Sequence, residues 1–394
     1  MSRLDLNAVL AAIRTVLPAG EGIIALHEPR FNGNEWAYVK ECIDTGWVSS
    51  VGKYVDRFEE LLAGFTGAKR AVAVVNGTSA LHICLQLAGV KQGDEVLVPD
   101  LTFVATANAV SYCGAVPHFV DSEIRSLGMD PAKLDLYLRD IVRIEGGEAV
   151  NRLTGRRIHA VVPMHTFGHP VDLDSLAEVC ERHRIVMVED AAESLGSYYK
   201  GRHTGNRGKV AALSFNGNKV ITTGGGGAIL TNDDELGRIA KHVTTTARAP
   251  HPWQLVHDRI GYNYRLPNIN AALGCAQIEE LPAFLEGKRE LAKRYAAAFS
   301  GISGLAFVTE PSYGKSNYWL NAVMLDEEHA DQRDALLDLT NRNGIQTRPS
   351  WTLMHRLPMY TECPRMDLSV AESIERRLIN IPSSAVLGKD QQRA

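Results

Sequence analysis

From about residue 54 to 240, short runs of β-branched and apolar residues alternate with stretches of helical periodicity. The runs 71–75, 95–98, 116–120, 159–164 and 185–188 are near-continuously apolar, the pattern of strands buried on both faces. Between them, 79–88, 105–113 and 173–184 place apolar residues at helical spacing. Strands spaced by helices predict an α/β fold whose large domain is a doubly wound, mostly parallel sheet with helices on both faces. The run 210–213 adds a strand, and 228–230 reads as an antiparallel return strand after a glycine-rich turn.

The pattern then changes. Long helical periodicity over 268–300, interrupted by Pro282, predicts helices leading into a smaller C-terminal α/β unit. Strands over 318–325 and 344–347, around a helix over 331–342, belong to that unit. Residues 1–20 read as an amphipathic helix. The expected organisation is an N-terminal helical extension over 1–30, a large domain over 31–275 and a small domain over 276–394.

Composition narrows the function classes. With 45% hydrophobic and 22% charged residues, the chain has the balance expected of a soluble globular protein. A net charge of −4 without a dense basic run argues against nucleic acid or an anionic membrane as partner. No stretch approaches the roughly 20 apolar residues that span a bilayer. Asp5 and the lack of a basic leading segment argue against a secretion signal. The six cysteines are scattered without a CxxC pair, so free thiols in the cytoplasm are expected. No histidine has metal-ligand spacing, and no metal is expected.

The candidate chemistry centres on Lys219, in Ser214-Phe-Asn-Gly-Asn-Lys219, followed by Thr222-Thr-Gly-Gly-Gly-Gly227. Glycines there let a planar group approach the backbone, and burial would favour the neutral, nucleophilic amine. Asp190 stands at the end of the strand 185–188. A lysine able to form an imine and an aspartate able to keep a pyridinium nitrogen protonated are the pair that pyridoxal 5′-phosphate chemistry requires. Asn76-Gly77-Thr78-Ser79-Ala80, between a strand and a helix, offers amides and hydroxyls to a phosphate, or serves simply as a helix cap. Phe103 follows another strand, placed either to stack on a cofactor ring or to fill core. Glu193 can reach a ring hydroxyl. His165, after the strand 159–164, reads as a substrate or cofactor contact, or as a polar residue satisfied within the fold. Asn263 and Arg265, ahead of a helix, can bind an anion or structure a loop.

Taken together, six motifs in order resemble the DegT/DnrJ/EryC1/StrS nucleotide-sugar aminotransferases, which have the pyridoxal-phosphate fold type I of aspartate aminotransferase. They are Asn76-Gly-Thr-Ser-Ala80, Thr102-Phe-Val-Ala-Thr106, Glu189-Asp-Ala-Ala192, Ser214-Phe to Lys219, Thr222 to Gly227, and Gly261-Tyr-Asn-Tyr-Arg265. The resemblance implies that Lys219 binds the cofactor covalently and shuttles the proton. It implies that Asp190 pairs with the ring nitrogen and Phe103 stacks on the ring. Gly77, Thr78, Ser79 and Ser214 surround the phosphate, joined by Asn263 from the second subunit of a homodimer with shared active sites. Glu193 stands where the family often has glutamine.

The closest branch by resemblance makes 4-amino-4,6-dideoxy sugars of the bacillosamine and legionaminic type, for surface glycans such as O-antigen and lipopolysaccharide. The implied reaction moves an amino group from L-glutamate to C4 of an NDP-4-keto-6-deoxy-hexose, UDP-linked and 2-acetamido, with pyridoxamine phosphate as the alternate cofactor form. The alternatives are a C3 aminotransferase on a 3-keto sugar and, in another class, a non-catalytic nucleotide-binding α/β module. Candidate substrate contacts are His165, Arg248, Tyr318, Arg348 and His355.

Overall fold

The computed structural model describes residues 3–19 and 22–388. Its largest layer is a seven-stranded sheet of β1 (Arg70–Val74), β2 (Glu95–Pro99), β3 (Val116–Val120), β4 (Ile158–Val161), β5 (Val186–Asp190), β6 (Val210–Ser214) and β7 (Gly227–Thr231). The order is β1-β7-β6-β5-β4-β2-β3. Every pair is parallel except those of β7, which is antiparallel to both neighbours, the expected return strand. Helices cover both faces, so even the central β6 side chains Val210, Ala211, Ala212 and Leu213 are buried.

This topology brings the carboxyl ends of six parallel strands to one edge, where such sheets bind ligands. Two helices start there: α1 (Gly77–Ala88) after β1 and α2 (Val104–Tyr112) after β2. The entrance of β7 lies at the same edge, with Gly227 in register with both Val74 and Ser214. A Cβ on Gly227 would fall 2.5 Å from the Asn76 carbonyl carbon, so only glycine lets the three segments close up.

A second, antiparallel sheet is built from β8 (Leu305–Phe307), β9 (Asn321–Leu325), β10 (Arg348–Pro349) and β11 (Leu378–Ile381), ordered β8-β9-β11-β10. The N-terminal helix runs from Leu6 to Val16, with Asp5 accepting from the amides of Asn7 and Ala8. Residues 1, 2 and 20 of the expected helix lie outside the described residues. Val9, Ile13 and Val16 share a core with Leu291, Tyr295, Val323 and Ile379.

Three expectations are corrected. The strand expected over 159–164 stops at Val161, because Pro163 has no N–H to extend the ladder. Residues 344–347 form only an isolated bridge, Ile345 to Ile24; Gly344 turns the chain at φ 77° and the paired strand is Arg348–Pro349. Pro282 does not divide the helical region either: α3 (Asn268–Phe299) is one helix with the proline inside. Buried Ile278, Leu281 and Phe284 on both sides of it keep the two halves packed in one core despite the lost backbone donor.

Candidate active site

Asp190 closes β5 at the carboxyl edge and is buried. Its Oδ2 accepts from the Thr106 hydroxyl at 2.8 Å, and Oδ1 from the Ala192 amide at 3.2 Å. Thr106 in turn lies 2.8 Å from the Thr102 hydroxyl, which fixes its rotamer. Burial pushes the Asp190 carboxyl above its ordinary range, more than these two donors draw it down. A sealed carboxylate with two neutral donors is matched to a cationic partner such as a pyridinium N–H.

The turn Asn216-Gly-Asn218 lifts Lys219 beside this floor, its amide donating to Asn216 O at 3.0 Å. The Lys219 Nζ lies 3.4 Å from Glu193 Oε1 and 3.8 Å from the centroid of the Trp319 ring. Trp319 is held by its own indole N–H, which donates to Asn218 O at 2.6 Å. The other oxygen of Glu193 accepts from the Phe167 amide at 2.9 Å. Phe167 reaches that position with φ 54°, an uncommon conformation that the buried site holds in place. Burial pushes Glu193 up to about 7, outweighing the neighbouring Lys219 charge. An acid, an amine and an aromatic lid thus converge within contact distance.

The third component is the entrance of α1. Asn76 Oδ1 accepts from the Ser79 amide at 2.7 Å, leaving the first-turn amides of Gly77 and Thr78 without intrahelical partners. A Cβ on Gly77 would stand 2.8 Å from the Ser214 Cβ, so the helix start and the end of β6 form one close-packed polar cradle. Ser79 is buried there, and Ser214 and Thr78 are half-buried. Amides, hydroxyls and the positive end of a helix suit a phosphate.

The remaining predicted residues are placed differently. Phe103 caps α2 and is 51% exposed at the same edge. Asn263 is exposed and bridges to Thr245. Arg265 is buried and spent on Glu59, at 2.7 Å, and on Ala73 O. The His165 ring is fully buried: Nδ1 accepts from the Val171 amide at 3.2 Å, so Nε2 carries the proton towards Glu189 at 3.1 Å. Tyr318 is buried, and its hydroxyl accepts from the Glu310 amide. His355 Nδ1 lies 2.6 Å from Asp100 Oδ2. Arg248 and Arg348 are exposed. Sequence reasoning missed Trp319 and gave Thr106 no role. The signal for Thr106 was its helical spacing from Thr102; Trp319 offered only an aromatic in the polar run Ser316-Asn-Tyr-Trp319.

A lysine between carboxylate and indole, near a buried aspartate and a polar cradle suited to a phosphate on a doubly wound sheet, accords with an aminotransferase of the pyridoxal-phosphate class. The chain belongs to the DegT/DnrJ/EryC1/StrS aminotransferase family, whose profile matches residues 29–394. It is similar to a GDP-perosamine synthase of Caulobacter vibrioides, 37% identical over 92% of this chain and 94% of the relative. It is also 37% identical to the putative pyridoxal phosphate-dependent aminotransferase EpsN of Bacillus subtilis, over 94% of this chain and 93% of that one. Among solved structures, the aminotransferase TlmJ of Streptoalloteichus hindustanus superposes with a TM-score of 0.82 at 28% identity, covering 92% of this chain and 94% of that one. No helix among the described residues is long and apolar enough to cross a membrane.

Proposed function

We propose that this enzyme transfers the amino group of L-glutamate to C4 of an NDP-linked 4-keto-6-deoxy-hexose. The observation that carries this reading is the Lys219 amine, clamped by Glu193 and Trp319 beside the Asp190 carboxylate. The relatives' names favour a GDP-linked sugar over the UDP-linked, 2-acetamido sugar expected from sequence. Pyridoxal phosphate, when bound, supplies the electron sink that stabilises the carbanion left by C–H cleavage. The protein's part is then positional. Asp190 keeps the ring nitrogen protonated, the Gly77–Ser79 and Ser214 cradle anchors the phosphate, and Phe103 covers a ring face. Lys219 Nζ removes the proton from the α-carbon of glutamate and, in the second half-reaction, delivers one to C4 of the sugar. Glu193 steadies that amine, and Trp319 keeps water from it.

A homodimer with shared sites accords with the apolar side chains left exposed. Trp36 is 77% exposed, Trp253 79% and Ile260 86%. Asn263 stands three residues after Ile260 and is itself exposed, as a contact to a partner's cradle requires. The six free cysteines accord with the cytoplasm, where nucleotide sugars are made. The test is incubation with glutamate and either GDP-4-keto-6-deoxy-mannose or UDP-4-keto-6-deoxy-GlcNAc, with NMR location of the new amine. An amine at C4 of the GDP sugar is expected. No aminated product from either 4-keto sugar, the result for an enzyme confined to 3-keto sugars, overturns the C4 assignment, and product from the UDP sugar alone overturns the GDP preference.

A further inference from the structure

Two buried hydroxyls beside Asp190 have no use in the scheme above. Helical threonines elsewhere in the chain donate to the carbonyl four residues back, as Thr244 does to Ala240 and Thr340 to Leu336. Thr106 stands in the first turn of α2, and the residue four before it, Thr102, lies ahead of that helix. Its hydroxyl is therefore not taken up by the helix, and it reaches Asp190 Oδ2, 84 residues along the chain, at 2.8 Å. Thr102 and Thr106 are both fully buried, and Thr102 Oγ1 has no partner other than Thr106 among the described residues. Two hydroxyls and a carboxylate thus form one chain closed to solvent.

Counting hydrogens gives this chain a direction. A carboxylate only accepts, and each hydroxyl has one hydrogen to give. Thr106 must donate to an ionised Asp190, so its oxygen must accept from Thr102. A hydroxyl that itself accepts a hydrogen bond is polarised and donates more strongly. Burial pushes the Asp190 carboxyl towards its neutral form, and the chain opposes that push. With Oδ2 tied to Thr106 and Oδ1 to the Ala192 amide, the plane of the carboxylate is fixed at both oxygens. Phe103 lies between the two threonines in sequence. The 102–106 segment therefore carries both a ring that can cover a planar cofactor and the hydroxyls that hold the carboxylate at its edge.

We propose that Thr102 and Thr106 are positioning residues, whose hydroxyl chain holds Asp190 ionised and turned towards the cofactor's ring nitrogen. The proposal rests on the reading above that Asp190 pairs with that nitrogen. The test titrates apoenzyme with pyridoxal phosphate and with its 1-deaza analogue, which has C–H in place of the ring nitrogen, following bound ligand by absorbance. Thr106→Val should weaken binding of the cofactor about tenfold, as for a hydrogen bond to a charged group, and binding of the analogue by less than about twofold. Thr106→Ser, which keeps the hydroxyl, should recover most of the loss. Thr102→Val, which removes only the outer hydroxyl, should weaken binding of the cofactor alone about threefold, and it carries the test if Thr106→Val does not fold. Equal weakening for both ligands in either valine variant, unchanged binding of the cofactor, or a serine variant no better than valine would each overturn the proposal. Wild-type apoenzyme that binds the two ligands equally would instead overturn the pairing of Asp190 with the ring nitrogen.

Discussion

Glu189, Asp190 and Glu193 fall within five residues of one another, all buried, yet their surroundings differ sharply. Glu189 faces away from the cleft and is saturated. His165 Nε2 and the amides of Gly205, Arg207 and Gly208 all converge on it, the three amides at 2.7 Å each. Those donors hold its carboxyl below the ordinary range in spite of full burial. Asp190 has one hydroxyl and one amide, Glu193 one amide and a lysine, and burial pushes both upward. Burial is common to the three, so the donor count decides the sign. Glu189 builds the strand-to-loop junction; the two under-supplied carboxyls are free to respond to a ligand.

The comparison can be broken from either side. Lys219→Ala should have the largest effect, lowering turnover about 10⁴-fold or more, because among the described residues no other lysine reaches the Glu193 carboxylate. The same variant should still retain pyridoxamine phosphate, measured by absorbance after desalting, since Asp190 and the phosphate cradle are intact. Glu189→Gln should cost about 3 kcal/mol in urea unfolding, the loss typical of a broken buried charge network. If the cost is no larger than that of an exposed ion pair, below about 1 kcal/mol, Glu189 is not the structural member of the trio.

Glu193→Gln should have the smallest effect, and it is visible only as a pH dependence. A carboxyl whose folded value of about 7 exceeds its ordinary 4.5 lends stability below 4.5, and that contribution is lost as pH rises through 7. Urea unfolding of the apoenzyme should therefore show wild type losing about 2 kcal/mol relative to Glu193→Gln between pH 5 and pH 8. Parallel curves would mean that Glu193 is not the strained acid.

Much of this contrast was legible in the chain. Strand-helix alternation located the carboxyl edge, and position at that edge singled out Asp190, Lys219 and the Asn76–Ser79 turn. What the alternation could not decide was which way a side chain turns. His165 follows β4 as Asp190 ends β5, but its ring is claimed by Glu189, a charged residue inside an apolar strand whose need for a partner was the overlooked signal. Trp319 lies 100 residues beyond Lys219 in sequence, and no local periodicity relates the two. The left-handed turn at Tyr318 (φ 48°) brings its ring in, a matter of tertiary packing.

The indole N–H to Asn218 O links the turn that bears Lys219 to the run leading into the C-terminal sheet, and Lys288 grips the other side of that same run. The reactive amine is therefore mechanically coupled to the smaller sheet. Any swing of that sheet away from the strands' carboxyl edge must pull on the lysine's own loop while withdrawing its aromatic cover, so opening of the cleft and displacement of the amine would be one movement.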